Sequence, residues 1–392
     1  MTDLYLHVGS NKTATTSLQH CLSENTAVLA EASVLYPRAG QTRIGAHHLL
    51  AGHLHSKPPA LFRPETNLDS YLDEIGAEIA ATEQTIENPR VVISSEMLFW
   101  FNRNNTNALE KLFSLFSRIK VIVYLRRQDS YLPSFYSSLA KNGECPPNFE
   151  TFCARQNLDY LANLDAWAQF VGAENLIARP FAREHWLDGN VISDFFAQIE
   201  CDISPMKIAN RETQNQSLSA EVIELLLATG GKGSIRQFRA FRKFLGEHID
   251  GIRSTPSSQL MTEAIRGSLR QRYEASNREL GRRYFPPENT DALCFDDVAA
   301  AEEDAYTSLE PTDYADLVSA LWEEKLRLQK RLQDQATDHR ATLAERDAII
   351  RVYKQRAERA SIGVRLMRRI ARQWSGGSNG SSATSSPLPG ID

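Results

Sequence analysis

The sequence is poor in cysteine and has no long apolar run. Its 392 residues include five cysteines at wide spacings, and no two of them form a Cys-x-x-Cys pair. This pattern argues against a disulfide framework and against a zinc knuckle, so we expect reduced, buried thiols. No stretch approaches the roughly 20 apolar residues of a membrane span, and the first residues lack the basic start of a signal peptide. These absences predict a cytoplasmic protein.

The sequence also lacks a strong excess of charge of one sign. Its net charge is −5, which gives no indication of a nucleic-acid partner. Any site for an anion must therefore depend on a local group of residues. Hydrophobic residues make up 42% of the chain, which is enough to bury a sizeable core. The length suggests one large domain with an accessory part, or two domains.

Short apolar runs alternate with helical patterns in the first half of the chain. Near-continuous apolar runs of this kind are typical of buried parallel strands, and they occupy residues 4–8, 91–94 and 120–125, with a weaker candidate at 175–181. Helical patterns occupy residues 15–29, 68–85 and 107–116. The alternating order predicts an α/β fold with a P-loop-like parallel sheet flanked by helices.

The composition changes near residue 305, which divides the chain into four expected parts. Residues 1–305 would form the main domain. Residues 306–360 are highly charged and predict a long helix or a weak coiled coil. Candidate contact positions between two such helices recur at alternating steps of four and three residues, as in a coiled coil. Some of these positions are Ala, His or Arg, which would make the contact weak. A homodimer through this helix is one expectation, and a solvated single helix is the alternative. Residues 375–392 are rich in Gly, Ser and Pro and predict a disordered tail.

Residues 361–374, "SIGVRLMRRIARQW", predict a basic amphipathic helix. They contain four arginines and no acidic residue, with apolar residues at helical spacing. Such a helix suits the surface of an anionic membrane, which would place the protein peripherally at the inner face. The alternative is a helix end that packs on the main domain.

The segment "HVGSNKTATTS", residues 7–17, predicts an anion-binding loop. It follows the first apolar run and precedes a helix, so unpaired N–H groups and the helix dipole would face a ligand. A lysine and several hydroxyl groups add donors. The alternative is an ordinary helix cap with a surface lysine. The candidate binding residues are Gly9, Ser10, Asn11, Lys12, Thr13, Ala14, Thr15, Thr16 and Ser17.

The loop does not have the spacing of a nucleotide P-loop. That motif needs a glycine directly before the lysine, whereas only Ser10 and Asn11 separate Gly9 from Lys12. The run "VVISSE" also ends without the aspartate that usually binds Mg²⁺ in kinases and NTPases. A P-loop-type kinase therefore remains only an alternative.

A second candidate anion site follows the third apolar run, in "VIVYLRRQDSYLPSFYSSL". Arg126 comes directly after the strand, and Ser134 lies eight residues later, inside the next expected helix. An arginine at a strand end and a hydroxyl on the following helix can hold one phosphate from two sides. Open α/β sheets bind ligands at this carboxyl edge.

Together the motifs resemble those of PAPS-dependent sulfotransferases, particularly the bacterial, carbohydrate-sulfotransferase-like members. "GSNKTATTSL" resembles the loop for the 5′-phosphosulfate of 3′-phosphoadenosine-5′-phosphosulfate (PAPS), and "YLRRQDSYLPSFY" resembles the 3′-phosphate motif. "VVISSEMLF" and "NQSLS" are also similar, and the resemblance covers roughly residues 3–285. It departs from the family at Ala14, where a glycine is usual. "GGKG" at residues 230–233 resembles the segment that covers the nucleotide.

The resemblance implies transfer of a sulfonate group from PAPS to a hydroxyl of a carbohydrate or glycolipid, with release of PAP and without a metal. Lys12 would be the cation at the leaving group. In glycan-modifying members a glutamate in this region is the base, so Glu96 is our first candidate for the base. Some members use a histidine instead, and His48 in "GAHHLLAGHLH" is the rival candidate. Structural roles for Glu96 and for the histidines are the alternatives. A non-catalytic adaptor that assembles through the C-terminal helix is the second competing function.

Overall fold

A computed structural model describes residues 2–58, 66–202, 218–229, 235–249, 254–295 and 306–374. These residues form a mixed α/β structure around a five-stranded parallel sheet with the strand order β2-β3-β1-β4-β5. The strands are β1 Asp3–His7, β2 Val34–Leu35, β3 Arg90–Ser94, β4 Arg118–Leu125 and β5 Leu176–Pro180. The predicted parallel sheet flanked by helices is therefore present.

Helices cover both faces of this sheet. Alternate residues of β1 point to opposite faces, so Leu4 and Leu6 join one apolar cluster while Tyr5 joins the other. The described helices are α1 Thr15–Glu24, α2 Thr26–Glu31, α3 His48–Leu54, α4 Leu68–Glu83, α5 Thr106–Phe113, α6 Gln128–Lys141, α7 Phe149–Arg155, α8 Tyr160–Val171, α9 Val191–Gln198, α10 Ala220–Ala228, α11 Ile235–Ile249, α12 Glu263–Tyr284 and α13 Pro311–Trp374.

Two local details differ from the expectation. The single helix predicted over residues 15–29 is two helices, because Asn25 leaves the helical conformation (φ −113°, ψ 24°) between α1 and α2. Its side-chain Nδ2 donates to the Cys21 carbonyl at 2.8 Å, which satisfies one carbonyl at the end of α1. Strand β2 was not predicted, because two residues are too few to show a pattern.

The C-terminal part forms a separate unit. The chain divides into Met1–Asp313 and Tyr314–Asp392, and α13 is one continuous helix of 64 residues. Residues 361–374, which were expected to form a basic amphipathic helix, are therefore the last part of this helix. No helix among the described residues is long and apolar enough to cross a membrane. The expected tail at 375–392 and the "GGKG" segment at 230–233 lie outside the described residues.

Candidate active site

The strand order places three candidate segments at one edge of the sheet. Strand β1 lies between β3 and β4, so the chain leaves β1 toward one side of the sheet and later returns to the other. This reversal is the position at which open α/β sheets bind ligands, outside the carboxyl ends of the strands. The loop after β1, Glu96 after β3 and Arg126 after β4 therefore converge.

The loop after β1 has an unusual backbone conformation. Gly9 (φ 52°), Lys12 (φ 68°) and Ala14 (φ 57°) all adopt left-handed φ values. Gly9 is required sterically, because a Cβ added there would lie 2.7 Å from Cγ2 of Thr15. Ala14 adopts the conformation without being glycine, at a cost of about 1–2 kcal/mol. Ala14, which stands where the resembled motif has a glycine, thus adopts a left-handed conformation.

Ala14 is also the N-cap residue of α1, and it provides no side-chain hydrogen bond to the helix. The amides of the first turn therefore lack a side-chain cap and remain available to an anion. Thr13 and Ser10 are buried, and the Thr13 hydroxyl donates to the Ser10 carbonyl at 2.7 Å. These two residues stabilise the loop from inside. The other side chains of the loop line a cavity.

This cavity has a volume of about 670 Å³, within the range of roughly 300–1,000 Å³ that is typical of small-molecule sites. Its walls combine both candidate anion motifs with the candidate base. Glu96, Arg126 and Ser134 line it together with the loop residues Asn11, Lys12, Ala14, Thr15, Thr16 and Ser17. Residues that are far apart in the sequence thus share one cavity.

The cavity is lined by four basic residues, Lys12, Arg126, Lys141 and Arg183, and by two acidic ones, Glu96 and Glu144, and burial lowers the pKa of the first three. Nη1 of Arg126 donates to the Lys12 carbonyl at 3.4 Å. Burial lowers the pKa of Arg126, and burial together with the Arg126 guanidinium lowers the pKa of Lys12. Burial, Lys12 and Arg242 lower the pKa of Lys141 to about 8. Each protonated group is less stable here than in water, so a bound anion would stabilise all three.

Lys141 was missed at the level of sequence, although a signal was available. It lies seven residues after Ser134 in the same helix, α6, so two helical turns bring both side chains to one face. The segment after β5 also contributes Phe181, Arg183 and Trp186 to the cavity. The Arg126 guanidinium lies 5.8 Å from the centre of the Phe181 ring.

A hydrogen-bond network holds Glu96 at the cavity wall. Glu96 opens a 3₁₀ turn, Glu96–Leu98, directly after β3. From α1, the buried Gln19 donates through Nε2 to Oε2 of Glu96 at 3.0 Å and to Oγ of Ser94 at 3.3 Å. From α3, Nε2 of His48 lies 3.7 Å from Oε1 of Glu96. The carboxylate is therefore approached from two helices.

His48 lies behind Glu96 and does not line the cavity. Its Nδ1 is hydrogen-bonded to Oγ of Ser95 at 2.9 Å, and burial lowers its pKa while the Glu96 carboxylate opposes that effect. A lowered pKa favours the neutral imidazole near pH 7.

The three neighbouring histidines have other surroundings. Nε2 of His47 is hydrogen-bonded to the Pro37 carbonyl at 2.9 Å, and burial lowers its pKa to about 4. The His53 ring packs against Tyr71, and Nδ1 of His55 accepts from the Lys57 amide at 3.0 Å. These contacts are those of structural histidines.

In the described part of the chain, no three His, Cys, Asp or Glu side chains are grouped as metal ligands would be. No family model matches the sequence. An uncharacterised protein of Archaeoglobus fulgidus is 31% identical over 131 residues, which is 33% of this chain and 35% of that protein. The matched stretch thus spans about a third of the length of this relative.

A crystal structure of a sulfotransferase from Alicyclobacillus acidocaldarius is also similar. It is 13% identical, with a TM-score of 0.36, over 61% of this chain and 95% of the other. A TM-score this low does not establish a shared fold.

Proposed function

We propose that this chain is a PAPS-dependent sulfotransferase that moves a sulfonate group to a hydroxyl of a carbohydrate or glycolipid. The observation that carries the proposal is the meeting of two anion motifs in one cavity. Lys12 and the start of α1 offer one site, and Arg126 with Ser134 offers the other. A nucleoside triphosphate carries its phosphates in a single chain, whereas PAPS carries a 5′-phosphosulfate and a separate 3′-phosphate.

The surroundings of the cavity suit a nucleoside between these two groups. Phe181 and Trp186 line both this cavity and an adjoining one of about 550 Å³. Aromatic rings of this kind provide a stacking surface for a base. Ser134 and Arg126 also border a third cavity of about 410 Å³, whose wall is rich in hydroxyl groups. We assign the 3′-phosphate to the side of the site that contains these two residues.

Lys12 would act at the leaving group. In the reaction, the bond between sulfur and the 5′-phosphate oxygen breaks while the acceptor oxygen forms a bond to sulfur. Negative charge grows on the departing phosphate oxygen, and a fixed cation stabilises it most in the transition state. Lys12 and the uncapped amides of α1 can serve that purpose.

Glu96 would remove the proton of the acceptor hydroxyl, because it lines the cavity and His48 does not. We assign His48 to a supporting position behind Glu96, because its Nε2 lies 3.7 Å from the carboxylate, which is too far for direct proton transfer. Gln19 would keep the second carboxylate oxygen in place. In this scheme Glu96 is the base, and His48 assists it.

The experiment is transfer of sulfur-35 from labelled PAPS to fractionated cell glycans and glycolipids. We expect label in an acceptor fraction with the native chain and almost none with Lys12→Ala. Lys111→Ala is the matched control, because Lys111 is an exposed lysine paired with Asp69 on the surface. Label transferred equally by the Lys12→Ala variant, or no binding of PAP by the native chain, would contradict the proposal.

A further inference from the structure

The charge of α13 changes along its length. Residues 311–348 contain six basic and eight acidic residues, whereas residues 349–372 contain eight basic residues and one acidic residue, Glu358. The second segment therefore has a net charge of +7 in a chain whose net charge is −5. We name residues 349–372 the basic segment. So large a local reversal of sign indicates an anionic partner.

The basic segment is also amphipathic. With ~100° of rotation per residue, six apolar residues fall within an arc of ~120°, namely Ile349, Val352, Tyr353, Val364, Met367 and Ile370. Their side chains are between 43% and 69% exposed. The opposite face consists of five basic residues within an arc of ~60°, namely Arg351, Lys354, Arg365, Arg369 and Arg372. There are exceptions: Arg356 lies within the apolar arc and Glu358 within the basic arc, and three apolar residues lie outside the apolar arc, namely Ile350, Ile362 and Leu366.

We propose that the basic segment binds in the plane of an anionic lipid bilayer. An exposed apolar face opposite a face rich in arginine is the arrangement of interfacial helices, whose apolar side enters the boundary between headgroups and acyl chains. The arginines are attracted to the negative lipid surface, and their long apolar stems allow the charged ends to reach it. The segment belongs to a helix that does not cross the membrane, so it lies on the surface.

A second copy of the chain fits this segment less well. The apolar arc shares positions with the pattern, in alternating steps of four and three residues, that predicts a coiled coil. Two parallel copies, however, would bring two segments of charge +7 side by side. One acidic residue in each copy cannot compensate eight basic residues. A nucleic acid would match the charge but would leave the apolar arc in water. An anionic bilayer satisfies both faces.

The test is co-sedimentation of the full chain with vesicles. We expect binding to vesicles of phosphatidylcholine and phosphatidylglycerol at 70:30, and little binding to pure phosphatidylcholine. In the variant R365Q/R368Q/R369Q/R372Q, binding should fall by about 600-fold at most, since each of the four basic residues near an anionic surface contributes about a factor of five. The matched control, K325Q/R327Q/K330Q/R331Q, removes four exposed charges from the first part of the same helix and should bind normally.

A second variant tests the apolar face without changing the basic face. Met367→Asp should reduce binding at least tenfold, whereas Leu328→Asp, an exposed apolar position outside the basic segment, should not. The proposal is overturned if neutral vesicles bind equally well, or if the four-arginine variant binds like its control. It is also overturned if a duplex oligonucleotide binds as tightly as the vesicles. A stable dimer in light scattering that Met367→Asp dissociates would assign the apolar face to a second copy instead. The proposal does not depend on the chemistry of the cavity.

Discussion

The cavity and the basic segment use positive charge in two different ways. In the cavity, Lys12, Arg126 and Lys141 are partly or largely buried, and burial lowers the pKa of each. In the basic segment, the arginines are exposed along a helix. Buried cations in a fixed geometry can hold one small anion specifically. Exposed cations attract an extended surface with little geometric selectivity, and salt screens them readily.

The largest expected effect comes from a substitution that removes a cation from the cavity and leaves the basic segment unchanged. Lys12→Ala should reduce sulfonate transfer by about 10³-fold, because removal of a group that stabilises transition-state charge typically costs about 10²–10³ in turnover. Vesicle binding should not change. Turnover of PAPS and vesicle sedimentation are measured on the same preparation, with Lys111→Ala as the control. Near-normal turnover would remove Lys12 from the mechanism.

The next largest effect distinguishes the residue that acts as base from the residues that bind the anion. Glu96→Gln should lower turnover about 10²-fold while the affinity for PAP stays nearly constant, because the amide keeps the shape but cannot take a proton. His48→Ala should cost less, since His48 does not line the cavity. Turnover and calorimetric affinity are compared for both variants. A larger loss in His48→Ala would transfer the role of base to the histidine.

Added salt should weaken vesicle binding more than it weakens PAP binding. Between 0.1 M and 0.5 M NaCl, vesicle binding should fall at least tenfold, because the Debye length shrinks and the arginines are exposed. PAP binding should fall only a few-fold, since partly buried charges are screened less. Sedimentation and calorimetry across the same salt series provide the measurement. Equal salt dependence of the two would contradict the difference between the regions.

The smallest effect concerns pH and belongs to the cavity alone. With a pKa of about 8, Lys141 is mostly protonated at pH 7 and mostly neutral at pH 9. PAP affinity should therefore fall several-fold as pH rises over this interval, in which both phosphates are already mostly dianionic. Calorimetry at the two pH values measures the change. In Lys141→Ala the dependence should disappear, and an undiminished dependence would assign the titration to another group.

Much of the site could be predicted from sequence because parallel strands end at a common edge. That rule alone brings Lys12, Glu96 and Arg126 together once the three apolar runs are recognised. Lys141 could also have been found, since it stands two turns after Ser134 on α6. Both predictions depend on the spacing of residues along strands and helices, which can be read directly from the sequence.

Other features depend on contacts between distant segments and were not predictable. The sequence suggested His48 as a rival base, but only the packing of α3 against the turn after β3 places its ring behind Glu96. The same applies to Gln19, whose amide reaches a carboxylate 77 positions away. Thr13 was expected to offer its hydroxyl to an anion, yet the hydroxyl donates to the Ser10 carbonyl within the loop. The position and hydrogen-bond partner of each of these side chains depend on local packing, which no sequence pattern shows.

The most direct test of the central claim is a calorimetric comparison of PAP with AMP, which differ only in the 3′-phosphate. If Arg126 and Ser134 hold that group, PAP should bind more tightly by about 1.5–3 kcal/mol, or roughly 10- to 100-fold, as a charge-assisted contact provides. Arg126→Ala should remove most of this difference and leave the affinity for AMP nearly unchanged. Equal affinities for PAP and AMP in the native chain would contradict the assignment of a 3′-phosphate site, and with it the use of PAPS.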